Sequence, residues 1–235
     1  MATLLLDFDG TICLGDDPVL AYADSVAARL GDDDAGALQS ALSAFLSGAT
    51  SDGFVDGYAA VAAYSTGRLS PEELADAYLE SRQVLADGAL DVWAPPGLAG
   101  FLGEISGAAR VVVATNAPSL GVGETLAELG IADVVQSVIT DAGKPDGMNG
   151  MLDSLLGEQP ARTLLSIGDI WRNDLEIPHR RGCVTALIDR FRTGDSRPTL
   201  LAERFEDLYP LVLEWSRAPE SFAYRTLDDT PQGIS

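Results

Sequence analysis

Five stretches of six to ten residues in this sequence are almost continuously apolar, and each ends at polar residues. They begin at Thr3, Arg110, Val134, Thr163 and Cys183. Apolar runs of this length are typical of strands that are buried on both faces of a sheet. From about residue 91 onward they alternate with helical patterns, which predicts right-handed crossovers and a doubly wound parallel sheet. The predicted fold class is therefore α/β.

One long interval interrupts this alternation. Between Cys13 and about Val92 the sequence has only helical patterns, and one of them opens with Ser70-Pro71-Glu72-Glu73. A serine followed by a proline and two acids is typical of a helix N-terminus. Connections between a strand and the next helix usually span about 2 to 6 residues. An interval of about 80 residues therefore predicts a separate helical domain, inserted directly after the first strand.

These patterns predict the domain organisation. We expect a core domain formed by residues 1–13 and 91–216, a helical cap domain at 14–90, and a polar tail at 217–235 that is partly disordered. The chain has 235 residues and is 46% hydrophobic, which is enough to bury a sizeable core. Its two cysteines, Cys13 and Cys183, are interpreted as small buried thiols.

The charge of the chain excludes several partners. It has 36 Asp and Glu against 15 Lys and Arg, a net charge of −21. A surface of this sign repels the phosphates of nucleic acids and of anionic lipids, so we predict neither as a partner. The apolar runs fall far short of the roughly 20 residues that a membrane helix needs. The N-terminus reaches Asp7 and Asp9 too early for a signal peptide, and we expect a cytoplasmic protein.

One stretch has the opposite charge, and we interpret it as a balance for local acids. It contains Arg180, Arg181, Arg190, Arg192, Arg197 and Arg204. The sequence leaves the oligomeric state open.

Polar and charged residues follow the carboxyl ends of the predicted strands. Asp7 and Asp9 follow the first strand, Thr115 and Asn116 the second, Lys144 the third, and Asp169 and Asp174 the fourth. Ligands of an open parallel sheet bind outside these strand ends, so we expect the side chains to meet in one crevice. Taken singly, Asp169 could cap a helix and Lys144 could be a solvated loop residue. The joint occurrence at successive strand ends favours a site.

The residue types indicate a metal and a phosphate. Four carboxylates in one crevice would repel one another unless a divalent cation neutralised them, and hard oxygen ligands favour Mg²⁺. The chain has 14 arginines and a single lysine, Lys144. A compact ammonium fits between a carboxylate and a phosphoryl oxygen, where the wider guanidinium would not. The set therefore predicts a site for a tetrahedral phosphate dianion.

At these residues the chain resembles the haloacid dehalogenase superfamily of phosphotransferases. Its four motifs match Asp7-Phe8-Asp9-Gly10-Thr11, Thr115-Asn116, Lys144-Pro145, and Gly168-Asp169 followed by Asp174. The resemblance implies a Rossmann-like core. It also implies a helical cap like that of the subfamily that includes small-molecule phosphatases and β-phosphoglucomutase.

The resemblance also implies roles for the matching residues. Asp7 would be the nucleophile, and Asp9 would be the general acid and base. Thr115, Asn116 and Lys144 would bind the phosphoryl group together with Asp7, with the Thr115 hydroxyl and the Lys144 ammonium also counted as catalytic. The implied reaction is a two-step transfer through an aspartyl phosphate.

The same resemblance implies the ligands of the cofactor, Mg²⁺. These would be the carboxylate of Asp7, the backbone carbonyl of Asp9 and the carboxylate of Asp169. Asp174 would support the metal indirectly, through water or hydrogen bonds.

The absence of particular residue types narrows the predicted activity. Dehalogenases of the superfamily lack the second aspartate, which is present here as Asp9. Phosphonate hydrolases use a cap lysine, and mutases resembling β-phosphoglucomutase use cap histidine and lysine; residues 14–90 contain neither. We therefore expect a Mg²⁺-dependent phosphomonoester hydrolase that acts on a small phosphorylated metabolite. The alternatives are a phosphotransferase or mutase of the same superfamily, or a binding protein that retains the fold without turnover.

Overall fold

A computed structural model describes residues 1–48, 53–190 and 197–222, and among these residues it contains one parallel sheet. Its strands are β1 (Ala2–Leu6), β2 (Ala109–Ala114), β3 (Ser137–Ile139), β4 (Leu164–Gly168), β5 (Val184–Ile188) and β6 (Leu200–Ala202). The strand order is β3-β2-β1-β4-β5-β6, so the sheet is wound outward in both directions from β1. The prediction of an α/β fold with a doubly wound parallel sheet is confirmed.

The helices fall into two groups along the chain. Those after β1 are α1 (Asp17–Ala27), α2 (Asp32–Leu46), α3 (Gly57–Ser65) and α4 (Pro71–Ala86). Those that alternate with the strands are α5 (Leu98–Ile105), α6 (Val122–Glu128), α7 (Met148–Leu156), α8 (Glu176–Arg180) and α9 (Tyr209–Arg217). The predicted insertion of a helical cap after the first strand is confirmed. None of the helices that the structure describes is both long and apolar enough to cross a membrane.

Several predicted strands differ from the observed ones. β1 ends at Leu6 because the carbonyl of Phe8 accepts hydrogen bonds from the N–H groups of residues 11, 12 and 13, which closes a turn. β3 covers only Ser137–Ile139, although the apolar run predicted a strand over 134–140. β6 and α9 were not predicted; β6 has three residues, too few for a pattern to stand out in the sequence.

The described chain forms two compact units. The first contains Met1–Leu14, Trp93–Ser119 and the residues from Leu126 onward; the second contains Gly15–Val92 and Leu120–Thr125. The two segments of the first unit that flank the insertion are joined by a pair of backbone hydrogen bonds. The N–H of Leu14 donates to Trp93 at 2.8 Å and the N–H of Trp93 to Leu14 at 3.0 Å.

The segment Leu120–Thr125 groups with the helical unit, whereas the sequence analysis placed it in the core domain. The physical reason lies in its contacts with α4. Nε of Arg82 donates to the carbonyl of Leu120 at 3.3 Å, and Gly121 packs against the backbone of Arg82 and Ala86. The predicted tail at 217–235 begins inside the described helix α9, and residues 223–235 lie outside the described part, as does Arg192.

The core of the first unit forms where α7 packs on the sheet. Leu5 from the central strand, Val112 from β2 and Leu152 from α7 belong to one buried cluster, which also contains Cys183. Both cysteines are buried, as predicted. Burial raises the pKa of the Cys183 thiol to about 11, which keeps it protonated and unreactive at neutral pH.

The helical unit has its own core. The rings of Tyr22, Tyr58 and Tyr78 pack against one another with centroids 5.5 to 6.0 Å apart, above the buried side chains of α1, α2 and α3. Helix α4 begins with the capping box that the sequence indicated. Oγ of Ser70 accepts from the N–H of Glu73, and the Glu73 carboxylate accepts from the N–H of Ser70 at 2.8 Å.

Replacing Ser70 with alanine should destabilise the helical unit. The change leaves the first-turn N–H of Glu73 without its cap, and we expect a loss of about 1 kcal/mol in the free energy of unfolding. Urea unfolding followed by circular dichroism measures this. The matched control is Ser40→Ala, because Ser40 is exposed inside α2 and bonds only its own helix at Gly36; equal losses in both variants would contradict the capping role.

Candidate active site

Three neighbouring strands bring the predicted site residues to one edge of the sheet. β1 lies between β2 and β4, and all three run parallel, so their carboxyl ends are adjacent. Asp7 follows β1, Thr115 follows β2 and Asp169 follows β4. The N–H of Asp7 donates to the carbonyl of Ile167 at 2.9 Å, which continues the pairing with β4 and fixes the backbone of Asp7.

Lys144 reaches the centre of this edge from the loop after β3. Its Nζ donates to Oδ1 of Asp7 at 2.7 Å, to Oδ1 of Asp174 at 2.7 Å and to the carbonyl of Ala114 at 2.9 Å. An ammonium has three N–H bonds, so these acceptors use its whole donor capacity. The Lys144 side chain is 4% exposed, and its position is therefore set by the two carboxylates.

The same contacts decide the charges of the groups. Burial lowers the pKa of Lys144, but Asp7 and Asp174 outweigh it and raise the pKa above its ordinary value, so the amine stays charged. Burial raises the pKa of Asp174, and the charge of Asp7 raises it further; Lys144 and the N–H of Ile170 act in the opposite direction. The net pKa of Asp174 is raised, which is typical of a carboxyl held in a crowded acidic site.

Asn116 positions Lys144 from the backbone side. Its Nδ2 donates to the carbonyl of Lys144 at 2.9 Å, and its Oδ1 accepts from the N–H of Lys144 at 2.7 Å. The family resemblance implies that this side chain binds the phosphoryl group. In the structure the nitrogen and the oxygen of the Asn116 side-chain amide both form hydrogen bonds with the Lys144 backbone. The amide therefore positions the loop from which the lysine enters the site.

Thr115 lies directly beside this loop and is buried. Its Oγ1 accepts from the N–H of Ala117 at 3.0 Å, and its carbonyl accepts from the N–H of Ala142. Because the hydroxyl oxygen accepts in this bond, its own O–H can donate elsewhere. The geometry is compatible with the predicted hydrogen bond from Thr115 to a phosphoryl oxygen.

Three carboxylates form an acidic cluster at the sheet edge. Oxygen atoms of Asp7, Asp169 and Asp174 all lie within 4.8 Å of one another. Asp174 is held by Ile170, whose N–H donates to Oδ2 at 3.1 Å, and Oγ of Ser166 donates to the carbonyl of Asp174. Asp174 thus lies in the crevice where the sequence predicted it, and its carboxylate bonds Lys144. Its indirect support of a metal stays a prediction.

Asp9 lies in the turn after β1, half-buried, where it pairs with Cys13. Its carboxylate is not among the three described carboxylates that cluster together. Its roles as a carbonyl ligand of the metal and as the general acid and base stay predictions. Thr11, in the same turn, donates its hydroxyl to Oδ2 of Asp7 at 3.1 Å. Thr11 belongs to the first motif, but the sequence alone did not indicate this contact.

Two glycines make room for the carboxylates. Gly10 has a φ of +81°, and a Cβ at this position would overlap the Asp169 carboxylate. A Cβ at Gly168 would overlap the side chain of Asp174. Backbone and carboxylate can approach each other at both places only because no side chain intervenes.

The sequence of this chain is similar to one family of known proteins. The sequence profile of the haloacid dehalogenase-like hydrolase family matches residues 4–168, which includes Asp7 and Lys144. The chain belongs to this family. No curated protein sequence matches this hydrolase.

Solved structures share the fold of this hydrolase at low sequence identity. The HAD-hydrolase YfnB from Bacillus subtilis, bound to magnesium, is 20% identical with a TM-score of 0.61, covering 90% of this chain and 98% of YfnB. CbbY from Rhodobacter sphaeroides, in complex with phosphate, is 17% identical with a TM-score of 0.61, covering 88% and 96%. A 2-haloacid dehalogenase from Pseudomonas syringae is 16% identical with a TM-score of 0.55, covering 92% and 100%. These similarities establish the fold.

Arg190 lies at the same sheet edge, although the sequence indicated only a role in balancing local acids. Nη1 of Arg190, two residues after the end of β5, lies 3.6 Å from Oδ2 of Asp169. The sequence grouped Arg190 with other arginines as a balance for local acids. Its place in the turn that follows a buried strand is the sequence signal that points to it.

Replacing Lys144 with methionine should make the hydrolase sensitive to rising pH. Without Nζ, burial and the charge of Asp7 raise the pKa of Asp174 further. A carboxyl whose pKa is higher in the folded than in the unfolded state stabilises the fold at low pH, and this stability is lost as the pH rises through the folded pKa. We expect a loss of about 3–5 kcal/mol at pH 8 and a smaller loss at pH 5, by urea unfolding with a chelator present.

The control for Lys144→Met is Arg181→Met, which removes a cation that bonds the exposed carboxylate of Asp153 at 2.6 Å. Its effect on stability should be small and equal at the two pH values. A Lys144→Met loss that does not grow between pH 5 and pH 8 would contradict the charge balance described here.

Replacing Gly10 with alanine should disturb Asp169. The new methyl would overlap the carboxylate, and the positive φ adds backbone strain, so we expect a loss of about 1–3 kcal/mol in the free energy of unfolding. Gly103→Ala is the control, because Gly103 lies inside α5 with open space around it, and alanine there should stabilise by up to about 1 kcal/mol. Similar unfolding midpoints for the two variants would show that Gly10 is not needed for close approach.

Proposed function

We propose that this hydrolase is a Mg²⁺-dependent phosphomonoesterase that acts on a small phosphorylated metabolite through a phosphorylated Asp7. The observation that carries the proposal is the contact of one ammonium, Nζ of Lys144, with both Asp7 and Asp174 at 2.7 Å, beside the carboxylate of Asp169. A cation and a cluster of carboxylates at a strand edge suit a ligand that carries two negative charges and binds together with a metal.

The donor set fits magnesium. Asp7, Asp169 and Asp174 offer oxygen atoms within 4.8 Å of one another, and Mg²⁺ prefers carboxylate oxygens and water. The carboxylates of Asp7 and Asp169 would hold the ion, together with the backbone carbonyl of Asp9, and Asp174 would support it from beside Lys144. When bound, the ion would neutralise the cluster and polarise a phosphoryl oxygen.

Asp7 is arranged to act as the nucleophile. Lys144 bonds its Oδ1 and Thr11 bonds its Oδ2, so the carboxylate is oriented before any substrate binds. In the first step a carboxylate oxygen of Asp7 forms a bond to phosphorus, and the bond from phosphorus to the ester oxygen breaks. Asp9 gives its proton to that ester oxygen, which leaves as an alcohol.

The second step releases phosphate. Asp9, now ionised, takes a proton from water as the water oxygen forms a bond to phosphorus, and the bond from phosphorus to Asp7 breaks. The products are inorganic phosphate and the free carboxylate of Asp7, with Asp9 protonated again. The charge of Lys144 would attract the phosphoryl group through both steps, and a direct hydrogen bond to it would replace one of the three present acceptors of Nζ. The O–H of Thr115 would donate to a phosphoryl oxygen.

The presence of Asp9 favours a phosphate ester over a haloacid as the substrate. An alcohol leaving group needs a proton as its bond to phosphorus breaks, whereas a halide ion leaves without one. Asp9 lies two residues after Asp7 in the turn that follows β1, and the residue is half-buried. The net charge of −21 supports a small molecule over a nucleic acid as the partner. The cytoplasmic location stays a prediction.

Turnover of p-nitrophenyl phosphate tests the proposal. We expect Mg²⁺-dependent release of p-nitrophenol that a chelator abolishes. Asp7→Asn should lower kcat by at least about 10³-fold because the nucleophile is lost, and Asp9→Asn should lower it by about 10²- to 10⁴-fold. Asp153→Asn is the control, because Asp153 is exposed and pairs with Arg181 away from the site.

Two results would redirect the assignment. Release of halide from a 2-haloacid, with no release of phosphate from any ester, would make the protein a dehalogenase. Binding of inorganic phosphate with Mg²⁺ but no turnover would support a binding protein that retains the fold. A panel of phosphorylated metabolites, followed by the release of inorganic phosphate, then identifies the substrate.

A further inference from the structure

Arg190 follows β5 at the same edge of the sheet as the site residues. The N–H of Arg190 donates to the carbonyl of Ile188 at 3.0 Å, so a tight turn fixes its backbone directly after the strand end. β5 pairs with β4, and β4 leads into Asp169. Arg190 and Asp169 therefore leave neighbouring strands side by side.

The guanidinium of Arg190 faces the Asp169 carboxylate. Nη1 lies 3.6 Å from Oδ2, and the two side chains are 33% and 7% exposed. A Cβ placed on Gly10 would lie 2.8 Å from the same Nη1 and would overlap Asp169. The guanidinium and the carboxylate thus share the space over the turn that carries Asp9, and solvent screens them less than it would a fully exposed pair.

The three carboxylates of the cluster are divided between two cations. Lys144 bonds Asp7 and Asp174, whereas Arg190 faces Asp169. We propose that Arg190 is a positioning residue that competes with the divalent cation for Asp169. It holds this carboxylate in the metal-free protein, and it weakens the binding of Mg²⁺. The proposal rests on the proposed function because it requires the magnesium site.

The competition follows from the chemistry of arginine. A guanidinium stays charged throughout the working pH range, so Arg190 cannot give way to a metal by losing a proton. A divalent cation that binds an oxygen of Asp169 lies close to the guanidinium charge. The repulsion energy between like charges rises as the inverse of the distance between them. Metal binding must therefore displace the guanidinium or proceed against it.

Magnesium titration by isothermal calorimetry, without substrate, tests the inference. Arg190→Met should bind Mg²⁺ about 3- to 30-fold more tightly than the wild type, because one repulsive charge and one competing partner are removed. Arg190→Lys keeps the charge and should stay within about threefold of the wild type. The difference between Arg190→Met and the wild type should shrink as the salt concentration rises.

Arg204→Met is the control for net charge. Arg204 is 66% exposed and pairs with Asp207, so its loss removes one positive charge without touching the acidic cluster. Its Mg²⁺ affinity should equal that of the wild type. Unchanged or weaker Mg²⁺ binding by Arg190→Met would overturn the inference, and so would equal tightening in Arg204→Met.

A thermal measurement covers the case in which Arg190→Met is too unstable for calorimetry. The melting temperature should rise more on addition of Mg²⁺ in Arg190→Met than in the wild type, because the metal-free state loses a contact and the metal-bound state loses a repulsion. An equal or smaller rise overturns the inference. A wild type that binds no Mg²⁺ overturns the magnesium-dependent function as well, whereas a wild type that binds Mg²⁺ with no change in Arg190→Met overturns the role of Arg190 alone.

Discussion

A single ammonium group connects the carboxyl ends of three neighbouring strands at the site. Nζ of Lys144 bonds the carbonyl that ends β2, the carboxylate that follows β1 and the carboxylate of Asp174 beyond β4. A buried cation needs partners of opposite charge, and buried carboxylates need a cation. Lys144 and the carboxylates of Asp7 and Asp174 therefore stabilise one another inside the protein. Asn116 fixes the loop from which the lysine enters.

The arrangement favours chemistry at the expense of stability. Burial and then the charge of Asp7 raise the pKa of Asp174. Gly10 and Gly168 have no side chains at the two places where the backbone comes closest to the carboxylates of Asp169 and Asp174. A sequence selected for stability alone would fill this edge with apolar side chains. The local departures from good packing coincide with the motif residues, as expected where a fold is adapted to bind an ion and an anion.

The sequence predicted what depends on local pattern and missed what depends on distant contacts. Buried strands and the polar residues at their ends can be recognised from a few consecutive residues, and so the edge that gathers Asp7, Lys144 and Asp169 was predictable. Two sets of contacts join residues about thirty positions apart. They are the hydrogen bond between Asp174 and Lys144, and the hydrogen bonds of the Asn116 side chain with the Lys144 backbone. They are set by how the loops pack, as is the grouping of Leu120–Thr125 with the helical unit, and no pattern along the chain indicates them.

Lys144 is also the only lysine of the chain. Reagents that acylate or alkylate amines react with the neutral form. Burial keeps such reagents away from the ε-amine of Lys144, and Asp7 and Asp174 raise its pKa, so that it stays charged. Apart from the α-amino group, a folded molecule therefore offers such reagents one amine, and that amine is shielded. The rate at which Lys144 becomes labelled therefore reports how often this edge of the sheet opens. Mass spectrometry measures that rate from the mass shift of one peptide.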